Sequence, residues 1–508
     1  MRSSFRTPFQ SSADRWAHWL TLGLLMVLSY VVRMRCLAHK PFWFDECFSA
    51  EVARIDWHNF VHLLWWREAN MSLYYVLLRM WMHFGQSEWF IRSLSVGIAV
   101  ATLPAIYWLA GMLYDRRVAL IASALFTFNA YSVRYSQEAR SYALFLLLAT
   151  VSSGFLVAFL KQGTSRNRFG YVLVSVLAVY AHFYALLLLA AQWLAVRGVK
   201  TDASSRSQLR RAWIVIGVAV LPLLIFVAKT GAGPIKWIPR PGLRELLEFY
   251  VLFAGGDRWP LAAVFAVACI AAVIPVGRNL LLRDQPCETW RCQFLLVWLL
   301  FPIVLTFVLS VVRPVFLGRY MIFCLPALLI LVAAGLARLR RWWLIAPCLA
   351  GILLLSLQGV RFVYGHDFDN ERDASGVATD FILDHTQAGD AVIFHIAETR
   401  VPYEFFRSIR AGENTASSAF TAQLGPEIIF PRHGEGLDYR DFTGKPTEDL
   451  VRAAAPGHRR VWVMLMNNGP AGNPDATTLM LTRALAEAFP GMERREFSRV
   501  EVRLYREE

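Results

Sequence analysis

Between Ala17 and Val360 the sequence alternates long apolar runs with short basic loops, and few folds accept that pattern. A helix needs about 20 apolar residues to cross the hydrocarbon core of a bilayer, and a spanning segment must satisfy its own backbone hydrogen bonds. The runs approach that length, so the chain reads as an α-helical polytopic membrane protein. Only 18% of the 508 residues are charged, less than the roughly 25% of a soluble domain. The net charge of +14 would suit nucleic acid on its own. The cations are confined to loops between apolar runs, however, so membrane topology accounts for them and no nucleic-acid partner is expected.

The first run, Ala17 to Val32, follows Arg2, Arg6 and Arg15 and resembles a signal sequence. A small-residue cleavage site should come next. Arg33, Met34 and Arg35 stand there instead, which predicts a retained span. With the N-terminus in the cytoplasm, further spans are expected at Trp89–Leu113, Val118–Tyr131 and Ser141–Leu160. The stretch Phe169–Val196 has basic clusters on both sides, including Arg166, Arg168, Arg197 and Lys200, so it predicts a tight hairpin with His182 at its outer tip. Trp213–Ala228, Pro260–Val276, Phe294–Val312, Tyr320–Leu336 and Trp342–Val360 complete about eleven spans. Every loop assigned to the cytoplasm carries Lys or Arg, among them Arg278, Arg283 and Arg291, as the positive-inside bias requires. Trp57–Trp66 and Leu243–Phe253 mix apolar and charged residues and read as helices lying at the interface.

After Arg361 the sequence becomes charged and is punctuated by Gly and Pro. Ala391–Ile396, Val461–Met466 and Val500–Tyr505 predict strands, and Ala374–Thr386 and Thr477–Phe489 predict helices. The expected organisation is a membrane domain over residues 1–360, with a first periplasmic loop at 33–88, and a small soluble α/β domain over 361–508. Cys36 and Cys47 share that first loop and could pair or remain free thiols.

Three polar constellations stand out on the predicted outer face. Asp45 and Glu46 follow Phe42, Trp43 and Phe44 directly after the first span. An ionisable group at a membrane is costly, and an apolar pocket raises a carboxylate toward the range of a general base; an exposed interfacial pair is the alternative. The loop between the third and fourth spans holds Arg134, Tyr135, Gln137, Glu138, Arg140 and Tyr142. Cations there run against the positive-inside bias. An anionic lipid headgroup would explain them, since Arg grips phosphate with paired hydrogen bonds; helix capping with a local Glu138–Arg pair is the other reading. Arg313, Arg319 and Tyr320 form a third cationic site, in which Arg313 suits an interfacial anchor. His182, Phe183 and Tyr184 mark the hairpin tip, and His182 can be a packing residue or a ligand contact. His58 and His62 lie about one helical turn apart, but without a third ligand they make a weak metal signal. Together the carboxylates and the outer cations suit transfer of a group from a phosphate-linked lipid, with arginine on the leaving phosphate and Asp45 taking the acceptor's proton.

Asp45-Glu46 after a first span, the stretch Tyr135-Ser-Gln-Glu-Ala-Arg-Ser-Tyr142, His182-Phe-Tyr184 and Gly318-Arg319-Tyr320 together resemble the bacterial branch of glycosyltransferase family 39. That branch includes relatives of protein O-mannosyltransferases and lipid A aminoarabinose transferases. The match runs over roughly residues 15–340. It implies a GT-C fold in the bacterial inner membrane, with the N-terminus cytoplasmic and the C-terminal domain periplasmic. It implies an inverting glycosyltransferase that moves a sugar from a polyprenyl-phosphate donor to a periplasmic lipid, glycan or protein. Asp45 would be the catalytic carboxylate, Glu46 its neighbour, and Arg140 and Arg319 phosphate contacts. Arg134, Tyr135, Gln137, Glu138, Tyr142, His182, Tyr184 and Tyr320 would complete the donor and substrate site. No cofactor is expected, and a divalent metal is left open. Many members of the family carry His-Pro-Pro-Leu-Tyr-Tyr before the second span, whereas Asn70-Met-Ser-Leu-Tyr-Tyr75 stands here. Loss of both prolines loosens that loop and leaves the acceptor class open. A lipid or glycan transporter and a non-catalytic scaffold are the competing readings. A transporter would place its polar residues at mid-membrane rather than in outer loops.

Overall fold

The computed structural model describes residues 12–37, 39–66, 68–197, 202–230, 238–256, 258–282, 286–365, 374–412, 425–431, 444–466 and 474–507. Arg2, Arg6, Lys200 and Arg283 of the topology argument lie outside them. Contacts divide the chain into two compact units. One comprises Met1–Leu37, Asn70–Tyr74 and Arg92–Gly365; the other comprises Ala38–Ala69, Tyr75–Ile91 and His366–Glu508. This cut differs from the sequence boundary at residue 360, because most of the expected loop 33–88 groups with the C-terminal residues.

The first unit is helical throughout, and each of the eleven expected spans contains a helix. Among the described residues, seven helices are long and apolar enough to cross a membrane: Trp16–Met34, Glu88–Leu113, Tyr142–Gln162, Ala203–Lys229, Thr289–Leu309, Gly318–Ala337 and Trp342–Gly365. The other expected spans are shorter, for local reasons. Arg116–Phe128 ends where Asn129 turns out of helical geometry and its side chain accepts the Ser132 N–H at 2.9 Å, capping a new helix, Ala130–Ser136. The run 169–196 divides at His182 into Ser165–Ala181 and Ala185–Arg197, the expected hairpin. Trp259–Ile274 is the remaining short apolar helix.

Polar groups inside this bundle are bonded across helices, as a low-dielectric interior demands. Arg33 is fully buried. Its guanidinium donates to the Phe126 and Thr127 carbonyls, both at 3.1 Å, and to the Ser29 and Ser132 hydroxyls, both at 2.6 Å. Those carbonyls belong to the last turn of Arg116–Phe128, where a helix has no internal donors left. The residue at the expected exit of the first span therefore rivets that span to a neighbour. Gln192 accepts from Tyr171 Oη at 3.0 Å and donates to Ser153 Oγ at 3.1 Å, while Trp213 Nε1 donates to Tyr171 Oη at 3.0 Å. Gly335 lets Leu325–Ala337 approach Trp259–Leu282 so closely that a Cβ there would lie 1.9 Å from the Ala268 carbonyl oxygen.

The second unit is built on a five-stranded sheet of β1 (Ala391–Phe394), β2 (Glu427–Phe430), β3 (Arg460–Met466), β4 (Gly491–Phe497) and β5 (Val500–Arg506). The strand order is β2-β1-β3-β5-β4, with β1 parallel to β2 and β3 and the β3-β5-β4 side antiparallel. β3 is central and apolar on both faces. Val461, Val463 and Leu465 pack with Leu481 and Leu485, whereas Trp462, Met464 and Met466 pack with Phe394 and Tyr403. The edge strand β4 exposes Glu493, Arg494, Arg495 and Glu496, charges that discourage further pairing. The three expected strands and two expected helices are all present. β2, β4 and the helices Arg400–Ala411 and Glu448–Ala454 were not expected. Cys36 is an exposed free thiol and Cys47 a buried one.

Candidate functional site

Within the first unit, three short backbone devices gather the aromatic and cationic side chains singled out by the sequence. The Asn129 cap starts the helix that carries Arg134 and Tyr135, and Ser141 precedes the helix that begins at Tyr142. The 3-10 helix Gly318–Cys324 presents Arg319 and Tyr320. Tyr131 Oη ties two of these together by donating to the Gly318 carbonyl at 2.6 Å, and Tyr184 Oη donates to the Val315 carbonyl.

The rings form a continuous chain. Tyr135 meets Tyr142 edge-on at 5.3 Å, Tyr142 lies 6.5 Å from Tyr320, and Tyr320 packs at 5.0 Å on Tyr184 and 4.8 Å on His182. The Arg134 and Arg319 guanidinium carbons sit 5.3 Å and 5.8 Å from the Tyr135 and Tyr320 ring centroids, within cation–π range. Arg140 and Glu138 are both buried. Gln137 is engaged differently: its amide donates to the Arg33 and Arg35 carbonyls at 2.9 and 2.8 Å.

His182 sits at the centre of this cluster and is 1% exposed. Its ring stacks on Phe145 at 5.0 Å with 6° between planes. Burial pushes the imidazole down to about 3, and the charges of Arg140 and Arg319 act in the same direction. The ring is therefore neutral at any physiological pH. Its Nδ1 accepts the Tyr184 N–H at 3.2 Å, which puts the proton on Nε2. That Nε2 is buried and has no hydrogen-bond partner among the described residues. The hairpin tip thus presents a neutral donor within reach of the charges of two arginines.

Asp45 and Glu46 belong to the second unit. They occupy the first turn of the helix Phe44–Arg54, where the Glu46 and Cys47 N–H groups donate to the Trp43 carbonyl at 2.9 and 3.0 Å. Carboxylates are favoured there by the helix dipole. Asp45 is half-buried and Glu46 fully buried. Three C-terminal residues of the same unit were marked by no sequence signal. Glu398, in the turn Ala397–Thr399 after β1, is pushed up to about 7, first by burial and then by the charge of Asp45. His395 is fully buried and its Nε2 lies 2.9 Å from Asp475 Oδ2; burial lowers it despite that carboxylate. No periodicity links positions 45 and 398, so only the folded chain could pair them. Among the described residues, no group of three or more His, Cys, Asp or Glu side chains is placed to hold a metal ion.

No family model matches the sequence, and no curated protein does. Solved structures match the fold. ArnT from Cupriavidus metallidurans in the apo state superposes with a TM-score of 0.60 at 12% identity, over 97% of this chain and 98% of that one. The same protein bound to undecaprenyl phosphate gives 0.59 at 13% identity, with 97% and 98% covered. The oligosaccharyltransferase AglB from Archaeoglobus fulgidus, in complex with an inhibitory peptide and a dolichol-phosphate, gives 0.51 at 11% identity, with 89% of this chain and 70% of that one covered. At these identities the likeness is one of architecture, and this integral membrane protein has the GT-C fold that its sequence motifs had suggested.

Proposed function

We propose that the protein is an inverting glycosyltransferase that moves a sugar from a polyprenyl-phosphate donor to a periplasmic lipid, glycan or protein acceptor. The carrying observation is the cluster in the first unit, where His182 feels the charges of Arg140 and Arg319 and packs among Tyr184 and Tyr320. Guanidinium groups and a neutral N–H donor suit a phosphate, and tyrosine rings suit a sugar or a prenyl chain. The solved ArnT complex holds undecaprenyl phosphate and the AglB complex a dolichol-phosphate, ligands of the chemistry this cluster would accept. An orientation with the N-terminus in the bacterial cytoplasm and the soluble domain in the periplasm goes with this reading.

In the proposed reaction the acceptor O–H breaks and its proton passes to the Asp45 carboxylate. The acceptor oxygen bonds the anomeric carbon from the face opposite the donor phosphate. The bond from that carbon to the phosphate oxygen breaks, and polyprenyl phosphate leaves with the electron pair, its charge met by Arg140 and Arg319. Arg134, Tyr135, Glu138, Tyr142, Tyr184 and Tyr320 shape the donor cluster of the first unit, Gln137 holds its loop in place, and Glu46 neighbours Asp45 in the second unit. The test is transfer from synthetic polyprenyl-phosphate sugars by purified full chain, read alongside mass spectrometry of surface glycans and lipids with and without the gene. Asp45→Asn should slow transfer by about 10²–10⁴-fold, the usual worth of a general base. Equal rates would remove Asp45 from the mechanism, and unchanged glycan and lipid profiles would refute the transferase reading.

A further inference from the structure

In the first unit, the segment that carries Arg134, Tyr135 and Arg140 begins on a helix of only seven residues, Ala130–Ser136. A helix shorter than about 12 residues is marginal by itself, so its place is set by whatever holds its ends. Asn129 caps the start, and its Nδ2 donates to the Phe253 carbonyl at 3.3 Å. Two further holds converge on one residue of another helix. Arg33, near the end of Ser12–Met34, is fully buried, and an ionisable group inside a membrane span is costly enough to mark a functional candidate.

The Arg33 side chain takes the near end. Its Nη2 donates to the Phe126 carbonyl at 3.1 Å and the Ser132 hydroxyl at 2.6 Å, and its Nη1 to the Thr127 carbonyl at 3.1 Å. The guanidinium carbon lies 4.8 Å from the Phe126 ring centroid. One side chain thus bonds the end of Arg116–Phe128 and the first turn of Ala130–Ser136 across the bend at Asn129. The carbonyls of a last helical turn carry the negative end of the helix dipole, which suits a cation. The Arg33 backbone takes the far end. The side-chain amide of Gln137, one residue past the short helix, donates to the Arg33 carbonyl at 2.9 Å and to the Arg35 carbonyl at 2.8 Å. Tyr364 Oη donates to the neighbouring Val32 carbonyl and steadies this stretch in turn.

We propose that Arg33 is the positioning residue of the donor site: its guanidinium and its carbonyl grip both ends of Ala130–Ser136 and so fix where Arg134 and Arg140 stand for the donor phosphate. Arg134 lies between the two grips, and Arg140 follows three residues after the second. The task needs arginine rather than lysine. The planar fork serves the Ser29 and Ser132 hydroxyls and the Phe126 and Thr127 carbonyls together, whereas an ammonium offers three donors on a single nitrogen. The role in donor binding rests on the reading proposed above; the grip on the helix does not.

The full chain in lipid nanodiscs is assayed for transfer and for binding of a synthetic polyprenyl monophosphate without a sugar. Arg33→Lys should raise the donor KM and the Kd of that phosphate about tenfold each, with the acceptor KM unchanged. Ser132→Ala removes one acceptor, leaves Arg33 in place and should move both values the same way by about threefold; it carries the test if Arg33→Lys does not fold. Trp213→Phe loses the bond to Tyr171 Oη at 3.0 Å, a buried contact of the same bundle, and should lower the melting temperature while leaving both values unchanged. Donor KM and phosphate Kd that stay at the wild-type values in the Arg33 and Ser132 variants overturn the proposal. So does a fall in kcat with both KM values unchanged, which reports loss of folded protein alone. If the wild type binds no polyprenyl phosphate, the donor reading falls and the grip is judged by amide exchange. It stands if protection across 130–137 drops in Ser132→Ala and fails if protection is unchanged.

Discussion

Glu404 is the place where one carboxylate decides the stability of the helix Arg400–Ala411. It lies on Arg400–Ala411, is 1% exposed, and accepts from Arg400 Nε at 2.9 Å and Arg407 Nε at 2.8 Å. Its charge also reaches Glu51 on Phe44–Arg54, which burial and then Glu404 raise against the pull of Arg54. Truncation by Glu404→Ala strands two buried guanidinium groups, and removing one partner of a buried ion pair costs about 3–5 kcal/mol. At 1.4 kcal/mol per tenfold, amide exchange protection across 400–411 should fall by about two to three and a half orders of magnitude. The assay is hydrogen–deuterium exchange on the full chain in detergent, with strands β3 and β5 as internal reference. A matched double replacement by apolar residues, Glu404→Leu with Arg407→Met, should recover part of the loss, because the uncompensated charge goes with it. A loss of protection below about tenfold in Glu404→Ala would refute the argument that this network clamps the helix.

Further outcomes follow from other contacts. Gly335→Val should block the approach of Leu325–Ala337 to Trp259–Leu282, since even a Cβ meets backbone oxygen at 1.9 Å; detergent-solubilised yield and melting temperature should both fall, while Gly351→Ala, with open space around it, should leave both unchanged. Burial lowers His395 in the fold despite its bond to Asp475, so stability is held above the ordinary histidine range and is lost as pH falls through it. The second unit should therefore weaken as pH drops below about 6.5, and His395→Gln should flatten that dependence in a pH series of exchange at β1.

The sequence alone determined the membrane character and the positions of the long apolar helices. Hydrocarbon imposes a length and a polarity on anything that crosses it, and both can be read one residue after another. The same holds for the strands at 391, 461 and 500, whose apolar runs are local. Motif residues such as Arg140, His182 and Arg319 were legible as polar chemistry out of place between apolar runs. Tertiary structure alone decided where the loop after the first span belongs: Phe42 needs the ring of Phe405 and Arg54 the hydroxyl of Ser408, more than 350 residues away in each case. It also decided that Arg33 is a buried rivet rather than a loop cation, that His182 carries its proton on Nε2, and that Glu398 feels the charge of Asp45. Burial, hydrogen-bond geometry and the shift of an ionisable group depend on which surfaces meet, and no stretch of sequence carries that information by itself.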